Sequence, residues 1–472
     1  MFVLLLMLAF VSYEREGADD EVGDVLQGSG EGKGREDQGG KSAFFYIIAD
    51  GLSLRVSRSL DSKMVNGEYI FDKGDRIEVI ERSGVWVKCR TVEGFEGWLK
   101  AVYEGDLCLS SVYGGSPPNW YMFGLEPSHK GGVDSGILPE GELAWKTPMG
   151  DMGLGNRFAL VDGRLYVTSE GDAGYDDEGD GLYCVDSRTG SVIWQFSTYQ
   201  EGRGDSDCHS GVAVVDGRCY FGCDDGYIYC VSAGDGRLIW EFETGDMVIS
   251  SISVVEGRVY AGSWDDHLYC LSADDGGLIW RFGIGEWDLS SPLVVESRVF
   301  IGNFAGDIFC LFADDGGFAW RFKAEDWVRS SPCFYDDMLY VGSDDGNIYC
   351  LSIEDGSLIW KFETGGEVVS SPCVVADRVY VGSRDDHIYC LSSADGELIW
   401  KFKTGDDVLS SPCVVDERVY VGSEDDRLYC LSADDGKLIW EFETGDDLFS
   451  SPCVVGGRVY FGSWDGYLYC LK

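Results

Sequence analysis

Cysteine and carboxylate side chains are the groups in this sequence with the widest chemical repertoire, and both recur at regular intervals. Of the 17 cysteines, eight directly follow an aromatic residue: Cys184, Cys230, Cys270, Cys310, Cys350, Cys390, Cys430 and Cys470. Four more, Cys333, Cys373, Cys413 and Cys453, precede a pair of apolar or aromatic residues. A thiol is a nucleophile or metal ligand only as the thiolate, which needs exposure and an electropositive setting. Thiols repeated inside apolar runs are expected instead as small buried hydrophobes. Positions equivalent to the second set hold Ala159, Ala213, Ser253 and Leu293, mostly small side chains. Cys219 and Cys223 stand four apart on one strand, too far to pair or share a metal. Cys208 falls in a loop and is expected to be the most reactive thiol.

Among the carboxylates, Asp172, Asp176, Asp177, Glu178 and Asp180 crowd one segment and could offer oxygen ligands to calcium. Their spacing matches no established loop, so an acidic solvated excursion is expected and no metal site, with Asp176 and Asp180 the weak candidates. His209, His267 and His387 are isolated and form no metal set. A different pattern joins Trp264, Trp287, Trp327 and Trp464 with Asp265, Asp345, Asp385, Asp425 and Asp465, all in predicted turns and loops. Exposed aromatics rimmed by charge suit a protein or glycan partner.

The elements that must position these residues are repeats. Trp240, Trp280, Trp320, Trp360, Trp400 and Trp440 are spaced by 40 residues, and Trp194 and Trp145 extend the series at 46 and 49. Each repeat holds four short β-branched or aromatic runs between Asp/Gly turns, as in 410–415, 418–423, 428–431 and 438–442. A four-stranded antiparallel blade follows, with strands A to D in chain order. One blade cannot bury both faces alone, so the blades must stack radially. Strands A and C are second neighbours, about 9.5 Å apart, beyond the roughly 7 Å limit for a disulfide. Seven complete repeats end at the tryptophans from Trp194 to Trp440. The C-terminus adds strands A to C and stops, while Leu143-Ala144-Trp145-Lys146 is a D strand without them. Joined, the two make an eighth blade and close a ring, which removes its exposed sheet edges. The chain is therefore expected to be all-β, with an eight-bladed β-propeller over 142–472. Alternating strand direction puts the B–C and D–A loops on one face, together with both departures from the 40-residue period.

The segment 184–194, Cys-Val-Asp-Ser-Arg-Thr-Gly-Ser-Val-Ile-Trp, resembles the quinoprotein tryptophan-docking motif, with cysteine for its alanine. Later repeats keep the glycine and tryptophan, as Gly436 and Trp440, but carry serine for the aspartate, as at Ser432. The lead-in Trp120–Gly131 is similar to the segment that opens non-enzymatic members of this repeat family. The resemblance spans about 120–472 and implies that Trp145, Trp194, Trp240, Trp280, Trp320, Trp360, Trp400 and Trp440 dock between neighbouring blades. Burying one such indole stabilises by roughly 4–6 kcal/mol as an upper value. In the enzymes of the family an adjacent cysteine pair, a catalytic aspartate and calcium serve the quinone. This chain has no Cys-Cys pair and lacks the long insertions that enclose the cofactor, so no cofactor is expected; PQQ and calcium belong only to the enzymatic alternative.

Ahead of the repeats, Gly51–Val56, Lys73–Val79, Trp86–Lys88 and Gly97–Leu99 resemble a bacterial-type SH3 domain, here over 44–108, with 109–141 as linker and lead-in. In that family such domains often bind cell-wall peptides or polysaccharide, which implies surface retention. Residues 14–43 read as an acidic, Gly-rich tether, and 1–13 as a signal-like apolar segment too short to span a bilayer. Export to an extracytoplasmic or envelope location is expected. The net charge is 37 − 83 = −46, and without a basic face nucleic acid is excluded as a partner. The expected function is a non-enzymatic scaffold whose propeller face engages a protein or cell-surface glycan. The alternatives are a quinone- and calcium-dependent dehydrogenase, or a carbohydrate- or cation-binding module.

Overall fold

The computed structural model describes residues 138–150, 158–170, 179–200, 207–285 and 290–472, together with the backbone of strands between residues 43 and 133. Two compact units divide the chain at Pro118 and Asn119. In the first, the strands Ala43–Asp50, Ser53–Ser57, Met64–Gly67, Arg76–Ser83, Trp86–Thr91, Glu96–Glu104 and Asp106–Tyr113 form one sheet. The signal-like segment, the tether, and the connections and side chains on which the SH3-like reading rests lie outside the described residues.

The second unit is an eight-bladed β-propeller, with no helix among its described residues. Blade 1 consists of strands A (Ala159–Val161), B (Arg164–Glu170), C (Asp180–Asp186) and D (Val192–Ser197). The pattern repeats to blade 7, whose strands are Cys413–Val415, Arg418–Ser423, Arg427–Ser432 and Leu438–Glu443. Blade 8 takes A, B and C from Cys453–Val455, Arg458–Ser463 and Tyr467–Leu471, and D from Leu143–Pro148. The closing register sets Cys470 opposite Trp145, so the two ends of the repeat series share one sheet. Gly132–Val133 adds a fifth strand, parallel to strand A of this blade.

Each blade repeats one cross-strand row, exemplified by Cys373, Tyr380, Cys390 and Trp400. Side chains in register on neighbouring strands share a face. The small A and C residues therefore leave room for the tyrosine and tryptophan between and beyond them. This accounts for the periodic cysteines: those of strand C are completely buried, and burial pushes the thiols of Cys230 and Cys390 up to about 12. They are packing groups.

The tryptophan completes the row on the next blade. Its ring covers the glycine that ends the following C–D turn, as Trp360 covers Gly396, where φ is +72°. The pairing recurs at all eight junctions, from Trp145 on Gly190 to Trp440 on Gly141, and at each a Cβ would come within 2.5–2.9 Å of the indole. Seven of the indoles also donate Nε1–H to a backbone carbonyl of the next blade at 2.9–3.2 Å. Trp194 does not, although the equivalent carbonyl, that of Ala233, accepts from Tyr166 and Arg164 as its counterparts in other blades do.

A second set of bonds ties the blades where strand A begins. The N–H of Ser251 donates to Ser291 Oγ at 3.1 Å, and the same link runs on through Ser331, Ser371, Ser411 and Ser451. The preceding serine of each pair accepts from a strand-B glycine of its own blade, as Ser370 does from Gly382 N at 3.0 Å. The Ser-Ser sequence thus serves one bond inward and one sideways, and leaves buried backbone donors satisfied.

Gly396→Ala should destabilise the protein by about 2–3 kcal/mol, combining a positive φ with overlap on Trp360. Gly217→Ala is the control: its φ is +73° but nothing lies within 4 Å of the new methyl, so only about 1 kcal/mol is expected. Guanidinium unfolding followed by tryptophan fluorescence separates the two.

Candidate functional site

The B–C turns and D–A loops share one face, and in blades 3 and 5 to 8 the two are locked together. Asp265, Asp345, Asp385, Asp425 and Asp465 supply the lock. Each accepts the hydroxyl of the strand-C tyrosine four residues on, at 2.5–2.7 Å. The same carboxylate oxygen accepts a backbone N–H of the D–A loop at 2.6–3.1 Å. These aspartates, read from the sequence as partner contacts, are committed to bracing the face. Burial and the facing carboxylate hold the Tyr269 hydroxyl up to about 12.

Upon this bracing, which blade 4 lacks because Ala305 stands at the aspartate position, the side chains at one register position vary from blade to blade. The position after strand B holds Asp224, Trp264, Phe304, Asp344, Arg384, Glu424 and Trp464 in blades 2 to 8. Its backbone N–H pairs with a D–A loop carbonyl, as Trp264 with Met247, Asp344 with Trp327, Arg384 with Glu367, and Trp464 with Asp447. Two of the sequence-predicted tryptophans, Trp264 and Trp327, are joined through Phe304. That ring lies 4.6 Å from Trp327, stacked at 8°, and 6.4 Å from Trp264. Trp327 is 44% exposed. Trp464, 46% exposed, packs edge-on to Phe449 farther round the ring. Trp287 lies outside the described residues. Phe304 was missed by sequence reasoning, although it occupies the position of Trp264 one repeat later.

Beside this aromatic shelf the lip becomes charged. The Arg329 guanidinium, 5.8 Å from the Trp327 ring, pairs with Asp344 at 2.6 Å and Glu367 at 2.7 Å. Arg384 reaches Glu367 at 3.2 Å and Asp407 at 3.7 Å. Farther on carboxylates dominate: burial, then Asp407 and Asp447, hold Glu424 up to about 7. Two triplets, Asp386/Asp406/Asp407 and Asp426/Asp446/Asp447, each bring carboxylate oxygens within 4.8 Å of one another. They repeat 40 residues apart, and oxygen donors of this kind suit a hard cation. The sequence reading passed over them and looked to Asp176, which is outside the described residues, and Asp180, which is buried at the start of strand C in blade 1.

Blade 2 carries a correction. The last residue of strand B, or the one directly after it, is Ser263, Asn303, Ser343, Ser383, Ser423 or Ser463 in blades 3 to 8. Its side chain donates to a D–A loop carbonyl at 2.9–3.2 Å, as Ser263 does to Asp246. In blade 2 that residue is Cys223, and it forms a disulfide with Cys208 of the corresponding loop. Cys208 is therefore not the reactive thiol expected from the sequence, and Cys223 does pair. Its relevant neighbour was never Cys219 on the same strand, but the loop folding back across the strand end, which brings the Cα atoms to 4.3 Å. Next to the bridge, His209 lies between Glu170 at 3.5 Å and Asp224 at 3.1 Å. Burial alone would lower its pKa, but Asp224, Glu170 and Asp207 outweigh it and raise it to about 9.

With this geometry in hand, comparisons place the chain among known proteins. A family model described as outer membrane protein assembly factor BamB matches residues 130–245 and 224–304. Another, described as beta-alanine-activating enzyme, beta-propeller, matches 294–472. The structure of BamB from Moraxella catarrhalis is similar at 18% identity and a TM-score of 0.59, covering 70% of this chain and 99% of that one. Quinohemoprotein alcohol dehydrogenase from Comamonas testosteroni is similar at 14% identity and a TM-score of 0.62, covering 75% and 80%. The computationally designed Ika8 protein is similar at 14% identity and a TM-score of 0.59, covering 69% and 99%. No curated protein matches. The repeats over residues 130–304 are thus similar to the BamB-type PQQ repeat, and the solved structures establish the shared fold.

Two outcomes follow for blade 2. Alkylation read by mass spectrometry should label Cys208 and Cys223 only after reduction, with the strand-C cysteines silent until unfolding; Cys208→Ser should cost up to about 3 kcal/mol. His209, with a folded pKa of about 9 against an unfolded 6.5, contributes stability that is whole below pH 6.5 and lost as pH rises through 9. Denaturation midpoints across that window should fall in the wild type and flatten in His209→Gln.

Proposed function

We propose that this chain is a non-enzymatic, extracytoplasmic protein-binding scaffold that engages its partner through the B–C/D–A face of the propeller. One observation carries the reading. Repeats that are nearly identical inside diverge at two facing surface positions, one after strand B and one in the D–A loop, where they build an exposed, stacked aromatic shelf beside a charged arc. Packing does not require this divergence, since five blades keep the same bracing aspartate beside residues as different as Trp264, Asp344, Arg384, Glu424 and Trp464. Half-exposed indoles and an arginine in contact with them are the residue types that dominate protein recognition. The likeness to BamB in repeat type and fold supports a protein partner, and the SH3-like segment is assigned a role in surface retention. The Cys208–Cys223 bridge supports an oxidising compartment.

The dehydrogenase reading rests on fold alone, because solved quinoprotein enzymes share this ring. The residues present do not fit the quinone as the family resemblance describes its site. No two cysteines are adjacent anywhere in the chain, and the bridge that does form joins residues 15 apart in blade 2.

The test compares capture by the full chain and by a Phe304→Ala/Trp327→Ala variant of unchanged unfolding midpoint. A partner held by the wild type should be lost, by about tenfold or more in affinity, from the variant. Equal capture by both would remove the face from the reading. Dye reduction after reconstitution with quinone and calcium would replace the scaffold with an enzyme, and a melting-temperature rise with oligosaccharide alone would replace the protein partner with a glycan.

A further inference from the structure

We infer that the segment recognised by this face is basic and carries an exposed apolar or aromatic side chain, one feature for each half of the lip. The inference rests on the scaffold reading and names the chemistry of its partner.

The two halves are continuous. Trp264, Phe304 and Trp327 form the shelf over blades 3 to 5. Arg329 touches both the shelf and the first carboxylates. From there Glu367, Asp407 and Asp447 continue the lip over blades 6 to 8 at the D–A loop position of Trp327, and Glu424 at the facing position of Phe304. At these two positions Arg384 is the one cation in blades 6 to 8, and both of its partners, Glu367 and Asp407, belong to the arc. A flat aromatic surface takes up an apolar or aromatic side chain by area and by offset stacking. Cationic groups set beside it then find carboxylates that lack enough internal counter-charge, and complementary charge steers the encounter and fixes register. Carboxylates crowded beyond Arg384 support the same assignment: burial and their neighbours raise Asp407, Asp447 and Glu424 alike.

A segment several residues long accounts for the whole lip, whereas a metal ion would account only for one triplet and would leave the shelf unexplained. An acidic segment would meet the arc with like charge. Net charge alone cannot produce the arrangement, because the C–D turns on the opposite face are also acidic, with Asp274, Asp314 and Glu354 exposed, yet the exposed aromatics beside them are confined to Phe312 and Phe318 of blade 4.

The experiment uses the full chain and labelled peptides in fluorescence anisotropy at physiological salt. The probes are a peptide with one tryptophan flanked by lysines, its alanine-for-tryptophan version, and its glutamate-for-lysine version. The lysine–tryptophan peptide should bind about tenfold more tightly than the alanine version, and the glutamate version should not bind. Phe304→Ala/Trp327→Ala should erase the preference for tryptophan. Glu424→Gln/Asp447→Asn should weaken the lysine–tryptophan peptide about tenfold, while Asp274→Asn/Asp314→Asn/Glu354→Gln on the opposite face leaves it unchanged. Equal weakening by the opposite-face variant would reduce the effect to bulk acidity and overturn the inference. So would calcium alone binding the triplets by calorimetry and displacing the peptide. A natural partner that is captured through Trp327 and proves acidic at its contact would also overturn it, while leaving the scaffold reading intact.

Discussion

Each tryptophan at the rim of one blade lies across the glycine that leads into strand D of the next, and eight such contacts close on themselves. The contact is demanding on both sides. The glycine must hold a positive φ and offer no side chain, because any Cβ would sit within van der Waals distance of the ring. The indole must be backed by a small residue in its own blade, which the strand-C cysteine supplies directly opposite. Most of the indoles are then nearly removed from water and have their N–H satisfied by a neighbouring carbonyl, so burial of a large apolar surface leaves few polar groups stranded.

Because the ring is held by rows that run through the blades, the loop face is free to differ. The serine pairs fix the start of strand A in blades 3 to 7 to both its own blade and the next. The turn aspartates fix loop to turn with a tyrosine hydroxyl and a backbone N–H. With backbone geometry settled twice over, the exposed register position tolerates tryptophan, phenylalanine, arginine, aspartate or glutamate without loss of fold. Blade 2 takes the same plan further: where other blades use a side-chain hydrogen bond to hold the loop, Cys223 and Cys208 use a covalent one. The physical role is unchanged, and the longer loop of that blade accounts for the stronger tie.

The cysteines illustrate how a chemically versatile residue can be used for its volume. Most sit where burial suppresses the thiolate, and their periodicity follows the blade rather than any reaction. The histidines behave similarly. His209 is held charged by Glu170 and Asp224 beside the bridge, a local brace against the long loop, whereas His267 and His387 bond a backbone oxygen two residues back.

Blade number, strand order and the closure shared by both ends were legible in the sequence, because a 40-residue repeat of β-branched runs leaves one way to bury every sheet, and the missing strand at one end matched the extra strand at the other. The burial of the strand-C cysteines was legible for the same reason: periodic position inside an apolar run reports packing. The site was legible only in part. Trp264, Trp327 and Trp464 stood out as large apolar groups in turns, but the first two are joined through Phe304 only by ring contacts between blades. The aspartates beside them proved to be braces, since hydrogen bonds to Tyr269 and its equivalents depend on which side of the turn the carboxylate faces. The Cys208–Cys223 bond and the acidic triplets likewise bring together a loop and a turn that spacing along one strand does not connect. Repetition determines which surfaces must be buried; which exposed groups meet is decided only when neighbouring blades are set side by side.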